Sequence, residues 1–516
     1  MSNRPWGHLR YPEPAQIDAY ASALGWQLTA QETGLYTEAV RATLAGLDEI
    51  EELPDVSVPL KHTHRDPGRP PQPGEDPYNA VIRFCEVRGA AEGPLAGRTL
   101  GVKDCIAVAG VPMTNGGRRQ PVLVPTEDAT VIERLLDAGV TVTAKTNLED
   151  LGFGLGEGSA FGPSRNPVDP TRSTGGSSSG SGAAVAAGLV DLALGADEGG
   201  SVRIPAAWCG LVGMKATHGL VPSYGMSYMN HTLDHIGPIT RTVADNALML
   251  DVMAGPDWRD PQWTRDLPAQ PDAYGSAAGL GVEGLRIGVL AEALEPVGVT
   301  DDVRTAFEAA VKTLRGLGAT VAEVSAPLWE KGWAISLASM PAATSAMVKS
   351  NGTGNFGHLG RIDPQMVAVL AAQSRTGGDD LPPLLKSMMF TAEHVNTHYD
   401  GLPFVKGHNL RLELRKQVDA ALAGVDVLIM PTIPTVAHEL LTERSSPAAF
   451  LRGGGRVGKA TANTSPTDLT GHPSLTVPCG RGEADLPVGL QIVGPRYAER
   501  LLYQVGFAFE GAFEGV

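Results

Sequence analysis

RSTGGSSSGSGAAVAAGLVDLALGADEGGSVRIPAAWCGLVG, from Arg172 to Gly213, holds two serine-bearing glycine clusters, GGSSSGS at Gly175–Ser181 and EGGS at Glu198–Ser201. Between them the residues read as a small-residue helix over Ala183–Gly188, then as a short apolar strand over Leu189–Leu194. Glycine admits backbone conformations that a Cβ obstructs. Two such clusters joined by compact structure can bring backbone N–H groups and hydroxyls together. The same alternation continues on both sides. Thr99–Val102 reads as a strand, Ala129–Ala138 as a helix with Thr126 as cap and Gly139 as stop, and Val140–Ala144 as a strand. Downstream come a helix over Arg241–Met253, a strand over Leu285–Leu290, a helix over Val303–Leu317 ending at Gly318, and a strand over Ala319–Val324. Leu410–Ala423 and Glu499–Phe509 read as helices and Val427–Met430 as a strand. Apolar strands mixed with helices give an α/β chain whose sheet is covered on both faces.

The flanks differ from this core. Residues 1–75 read as a helical extension, with helices over Gln16–Ala23 and Ala30–Leu47 and Thr29 with Gln31 and Glu32 as a cap. Lys61–Asp76 reads as a loop. The core divides into 76–325 and 406–516. Between them, 326–405 is a largely helical insertion, with helices over Met340–Met347, Pro364–Ala372 and Leu384–Met389. Loops at Asn351–Gly357 and Gly377–Asp380 separate these helices, and the insertion is expected to help roof a substrate cleft.

Composition narrows the function. Of 516 residues, 42% are hydrophobic and 19% charged, ordinary values for a globular chain. The 63 glycines and 39 prolines follow no period, which excludes a fibrous fold. A formal charge of −16 argues against a nucleic-acid partner, because phosphates would be repelled over most of the surface. Cys85, Cys105, Cys209 and Cys479 have no metal-ligand spacing and are expected to be free thiols in a reducing compartment. MSNRPWGHLRYPEPAQ lacks a secretory apolar run and no stretch of 18 apolar residues occurs. A soluble, cytoplasmic protein with no membrane partner is the expectation.

Five blocks in order carry a resemblance: LAGRTLGVKDCIAVAGVPMTNG (Leu95–Gly116), the 172–213 stretch, DHIGPITRTVADNALML (Asp234–Leu250), DVLIMPTIPTVA (Asp426–Ala437), and GHPSLTVPCG with LPVGLQIVGP (Gly471–Gly480 and Leu486–Pro495). They resemble the amidase signature family, whose members hydrolyse carbon–nitrogen amide bonds. The likeness covers roughly residues 75–260 and 405–510. It implies the family's fold, a large twisted mixed β-sheet with α-helices on both faces. It also implies Ser201 as nucleophile, Ser177 as bridging serine on a cis peptide bond with Gly176, and Lys103 in GVKD as base. Backbone N–H groups of Glu198, Gly199, Gly200 and Ser201 would form the oxyanion hole. Asp197 and Arg203 would hold that loop, with Gly176 and Ser178 in support. No metal or cofactor is implied.

The chemistry agrees with these roles. A serine hydroxyl needs a base to take its proton, and Ser-Lys variants of the hydrolase triad exist. A lysine normally carries its proton, so Lys103 must be desolvated to act as a base. Glu198 departs from the neutral residue common at its position, and a carboxylate there would disfavour anionic substrates. Cys105, Met226, Tyr228 and Met229 are candidate pocket residues, with regions around Trp333 and Phe356 as further contributors; ordinary core packing is the alternative. A solvated ion pair is the plain alternative for Asp197 and Arg203. Gly176–Gly180 fits G-x-S-x-G, but PTRSTG makes a poor preceding strand, and the run lacks the GK[ST] ending of a P-loop. Ser179 and Ser181 read as structural, and so do His218, His231, His235 and His472.

The expected function is hydrolysis of a small-molecule carboxamide, with anilides, carbamates and esters as compatible substrates and a homodimer as the expected assembly. The amidase subunit of a glutamine-dependent tRNA amidotransferase is the alternative enzyme. A catalytically silent scaffold is the alternative of another class.

Overall fold

The computed structural model describes residues 9–513 apart from 52, 55, 57, 261, 263–266, 268–272, 350–359, 377–379, 442–447, 449–450 and 452–453. Two compact units form, Met1–Pro59 and Leu60–Val516. In the first, α1 (Pro14–Ala23) packs on α2 (Ala30–Glu51). Each helix starts on a capping box. Glu13 and Gln16 close the first. At the second, the Thr29 N–H donates to Glu32 Oε2 at 2.8 Å and the Glu32 N–H to Thr29 Oγ1 at 3.3 Å.

The second unit is built on one sheet. Its strands in chain order are β1 (Arg65–Arg69), β2 (Val81–Arg88), β3 (Thr99–Lys103), β4 (Thr141–Thr146), β5 (Leu192–Asp197), β6 (Val212–Lys215), β7 (His235–Thr240), β8 (Arg286–Leu290), β9 (Thr320–Val324), β10 (Val427–Pro431), β11 (Ser474–Arg481) and β12 (Pro487–Val493). In space they run β1-β2-β4-β3-β5-β7-β6-β11-β12-β10-β8-β9. β3 is parallel to both its neighbours, β4 and β5, whereas β5 and β7 are antiparallel. The sheet is therefore mixed.

Side chains alternate across a strand, and β5 shows both faces covered. Leu192 and Leu194 join a core with α3 (Thr130–Asp137), α6 (Val243–Met253), α7 (Asp301–Gly316) and the helix Glu499–Ala512. Ala193, between them, packs with α4 (Ser179–Ala186) and α5 (Arg203–Trp208) on the opposite face. Over the insertion, α8 (Gly332–Lys349) packs against α10 (Pro383–Tyr399) and α11 (Leu402–Ala423), with α9 (Pro364–Thr376) between α8 and α10 in sequence. No described helix is long and apolar enough to cross a membrane.

The structure departs from the sequence reading at several places. α4 starts at Ser179, ahead of Ala183, because tertiary bonds hold its weakly helical first turn: the Gly180 N–H donates to Asn147 O and the Ser181 hydroxyl to Leu194 O. β5 runs over Leu192–Asp197 because the Leu189 N–H closes a turn on Ala184 O instead of entering the sheet. α3 has Ala129 at its N-cap position, so Thr126 does not cap it, although Gly139 does follow its end at φ +99°. Arg65–Arg69 is an edge strand on β2, not a loop, and its Pro-Gly content suits an edge. The helical unit accordingly ends at Pro59, short of residue 75. The loop expected at Asn351–Gly357, with Phe356, lies outside the described residues, as does most of Gly377–Asp380.

Candidate active site

Parallel pairing aligns β3 with β5, Val102 opposite Leu194, so the two strands end side by side. Lys103 closes β3 and Asp197 closes β5. Ser177 stands just ahead of α4, after a cis peptide bond from Gly176, and Ser201 just ahead of α5. Lys103 is buried; its Nζ donates to Ser177 Oγ at 2.8 Å and to Ala196 O at 3.3 Å. Burial pulls this amine below the ordinary lysine range, and nearby Cys105, Asp197, Asp234 and Glu198 push back only in part. Lys103, Ser177 and Ser201 all line one cavity of about 100 Å³.

The loop between β5 and α5 is organised by a buried ion pair. Asp197 Oδ1 and Arg203 Nη2 lie 2.9 Å apart, both side chains fully buried, which rules out a solvated pair. Burial alone would raise the Asp197 carboxyl, but Arg203 and backbone N–H groups hold it below the usual carboxylate range. Asp197 Oδ1 also accepts the Gly200 N–H at 2.7 Å, and Oδ2 the Val202 N–H at 3.0 Å. This corrects the expected oxyanion set: the Gly200 N–H is committed to Asp197. The N–H groups of Glu198, Gly199 and Ser201 have no hydrogen-bond acceptor among the described residues. Gly200 is required for a different reason. Its φ is +131°, and a Cβ there would sit 2.3 Å from Thr464 Oγ1, which donates to Gly199 O.

The supporting residues are placed as follows. Ser178 Oγ donates to Ala196 O and accepts the Ala196 N–H, both at 3.2 Å, tying the serine cluster to β5. A Cβ on Gly176 would meet Gly156 N at 2.5 Å, so the chains pass too closely for any other residue. Cys105 lines the cavity, but burial raises its thiol above the ordinary cysteine range despite Lys103, which disfavours a thiolate nucleophile. All four cysteines are free. His218, His231, His235 and His472 lie outside the cavity lining; His472, for example, is held by Thr470 and Asp419. No group of His, Cys, Asp and Glu with metal-binding geometry occurs among the described residues.

Met226 and Met229 line the cavity, and so does Trp333. Tyr228 does not. Its hydroxyl donates to Ser223 O, and it lines a second cavity, whose wall Met229 shares. Sequence reasoning missed Asp234, one residue before His235 in the DHIGP block, and the loop Leu151–Phe153, where Leu151 adopts φ +55°. It also missed the precise donors from the insertion, Met340 on α8 and Leu384 and Met388 on α10. Asp234 could have been found as a carboxylate inside a matching block. Nothing local marks the others.

A mixed twelve-stranded sheet with helices on both faces, and a buried lysine bonded to a serine ahead of a helix, make this an α/β fold with a serine–lysine site of the kind hydrolases use. The family model for amidase matches residues 84–503, and the chain belongs to the amidase signature family. A glutamyl-tRNA(Gln) amidotransferase subunit of Halobacterium salinarum is 40% identical over 435 residues, 84% of this chain and 99% of that protein. The crystal structure of the equivalently named protein from Thermotoga maritima superposes with a TM-score of 0.67 at 30% identity, covering 84% of this chain and 87% of that one. Native peptide amidase from Stenotrophomonas maltophilia gives 0.63 at 28% identity, covering 84% and 89%. Proteins named as amidotransferase subunits and as amidases thus share this fold.

Proposed function

We propose that this chain hydrolyses the C–N bond of a carboxamide to a carboxylate and ammonia or an amine, with Ser201 as nucleophile, Ser177 as relay and Lys103 as base. One observation carries the reading: a buried lysine amine 2.8 Å from Ser177 Oγ, in the cavity that Ser201 also lines. With Lys103 uncharged, its nitrogen takes the Ser177 proton while Ser177 Oγ takes that of Ser201. Ser201 Oγ then attacks the carbonyl carbon. The oxygen that becomes negative faces the N–H groups of Glu198, Gly199 and Ser201, each worth about 3–4 kcal/mol in such sites. The proton returns through Ser177 to the leaving nitrogen as the C–N bond breaks. Water, activated by the same relay, then cleaves the acyl-enzyme. An ester would enter by the same step.

The names of the relatives favour a second reading, the glutaminase part of a tRNA amidotransferase. The cavity favours the first. Its one basic side chain among the described residues is Lys103, beside Glu198 and Asp234, so none of the described residues there offers the α-carboxylate of glutamine a cationic partner. Assaying L-glutamine beside simple carboxamides separates the two; turnover of glutamine alone would select the amidotransferase.

A fluorophosphonate followed by intact-mass measurement tests the site itself. One adduct on Ser201 is expected. Lys103→Met should label more slowly by about 10²- to 10⁴-fold at neutral pH, the usual worth of a positioned base. Because burial lowers the Lys103 pKa, the wild-type labelling rate should rise with pH as the amine loses its proton and then level off. A flat profile would remove Lys103 from the role. We also propose a homodimer, motivated by Leu24, Trp26, Leu35 and Ile50 of the helical unit, each more than half exposed. Sedimentation at a single monomer mass would reject it.

A further inference from the structure

The cavity contains two carboxyl groups for which the hydrolysis has no use. Glu198 lines it, and its carboxyl has no hydrogen-bond partner among the described residues. Asp234 lines it too, its Oδ2 accepting the Met229 and Asn230 N–H groups at 2.8 Å each. Burial raises both carboxyls, Asp234 to about 7, and Asp234 with Asp468 adds repulsion at Glu198. The other charged groups near Glu198 leave it unpaired. Asp197 and Asp468 both bond Arg203, and Lys103 must be uncharged to act as base. The walls are otherwise largely apolar, with Phe153, Met226, Met229, Met340 and Met388.

We propose that Glu198, backed by Asp234, is a specificity-determining residue that selects carboxamides bearing a protonated amine a few bonds from the scissile carbonyl, beside an apolar group. This rests on the amidase reading and names its substrate class. The Glu198 backbone stands at the oxyanion loop, so its side chain starts close to the reacting carbon. An ammonium there gives the carboxylate a charge-assisted hydrogen bond. It also offsets the negative charge that otherwise holds a proton on Lys103. A neutral substrate of the same shape leaves the carboxyl without a partner, and an anionic one is repelled.

The test compares kcat/KM for 3-amino-4-phenylbutanamide and 4-phenylbutanamide across pH 5 to 8, using the full chain, Glu198→Gln and Glu198→Asp. Wild type should favour the amine by about 10- to 100-fold, the range of one charge-assisted hydrogen bond. Glu198→Gln should bring the ratio close to one, and Glu198→Asp should keep part of the preference. The acidic limb of the profile should lie at lower pH for the amine than for its neutral counterpart in wild type alone. A wild-type ratio at or below one overturns the inference, and so does a ratio unchanged in Glu198→Gln. If the neutral amide is turned over and the amine fares no better, the amidase reading survives and only Glu198's role falls. If neither is hydrolysed and fluorophosphonate adds nothing, the amidase reading fails first.

Discussion

Ser201→Ala is expected to lower carboxamide turnover by about 10⁴-fold or more, as removal of a catalytic serine does elsewhere, with the thermal midpoint nearly unchanged. Two features separate the effects. Ser201 lines the cavity and its hydroxyl makes no hydrogen bond among the described residues, so its loss leaves no buried group unpaired. Its backbone N–H remains in the loop, so the proposed oxyanion donors survive and are expected to give the small residual rate. Ser177→Ala differs in kind. It strands the buried Lys103 amine, whose other acceptor is Ala196 O at 3.3 Å, and should cost stability as well as rate. Cys105→Ser controls for a thiol route and should retain turnover. Steady-state rates on one primary amide, with melting curves for each variant, check all three. A Ser201→Ala protein within tenfold of wild type would show that another group attacks the carbonyl.

How far the sequence could be read depends on the range of the forces involved. Thr29 with Glu32 and Gly139 after α3 act over one helical turn, and both were legible. The same holds for β3, where Lys103 is the last residue of an apolar run. The start of α4 was hidden because a Ser-Gly turn is weakly helical and gains its geometry from Asn147 and Leu194, distant in sequence. The β5 boundary was hidden by Leu189 and Val190, apolar residues used in a turn. At the site, the resemblance pointed to Lys103, Ser177 and Ser201, and all three line one cavity, but a donor's direction is a backbone property. Whether the Gly200 N–H faces the cavity or Asp197 is decided by the Asp197–Arg203 pair. Likewise, Met226 and Tyr228 are two residues apart and chemically suited to the same wall, yet Met226 lines this cavity while Tyr228, bonded to Ser223 O, lines another. The cavity wall from α8 and α10 has no local mark, since Met340 and Met388 are apolar residues on helices like many others.

Arg203→Met should destabilise the fold by about 3–5 kcal/mol, the cost of stripping one partner from a buried charge network. Arg203 is fully buried and donates to Asp197 through Nε and Nη2, to Asp468 Oδ2 at 2.8 Å, and to Thr464 O, Thr467 Oγ1 and Gln491 Oε1. Methionine fills part of the volume but leaves two carboxyls, a threonine hydroxyl and two carbonyl oxygens short of this donor. Arg203→Lys should recover little, because an ammonium cannot reproduce the planar fork. The pH dependence has a definite sign. The folded-state pKa of Asp197 lies below its ordinary 3.8, so its contribution is present above that value and is lost as pH falls through the folded pKa. In Arg203→Met the carboxyl no longer has its cation and burial raises it, so that contribution is lost at neutral pH already. Urea midpoints at pH 7 and pH 4 check this: the variant should lose most at pH 7, and the gap should narrow in acid. Turnover should fall with stability, because Asp197 orients the Gly200 and Val202 N–H groups that shape the loop around Ser201. A variant with an unchanged midpoint would show that the pair does not brace this loop.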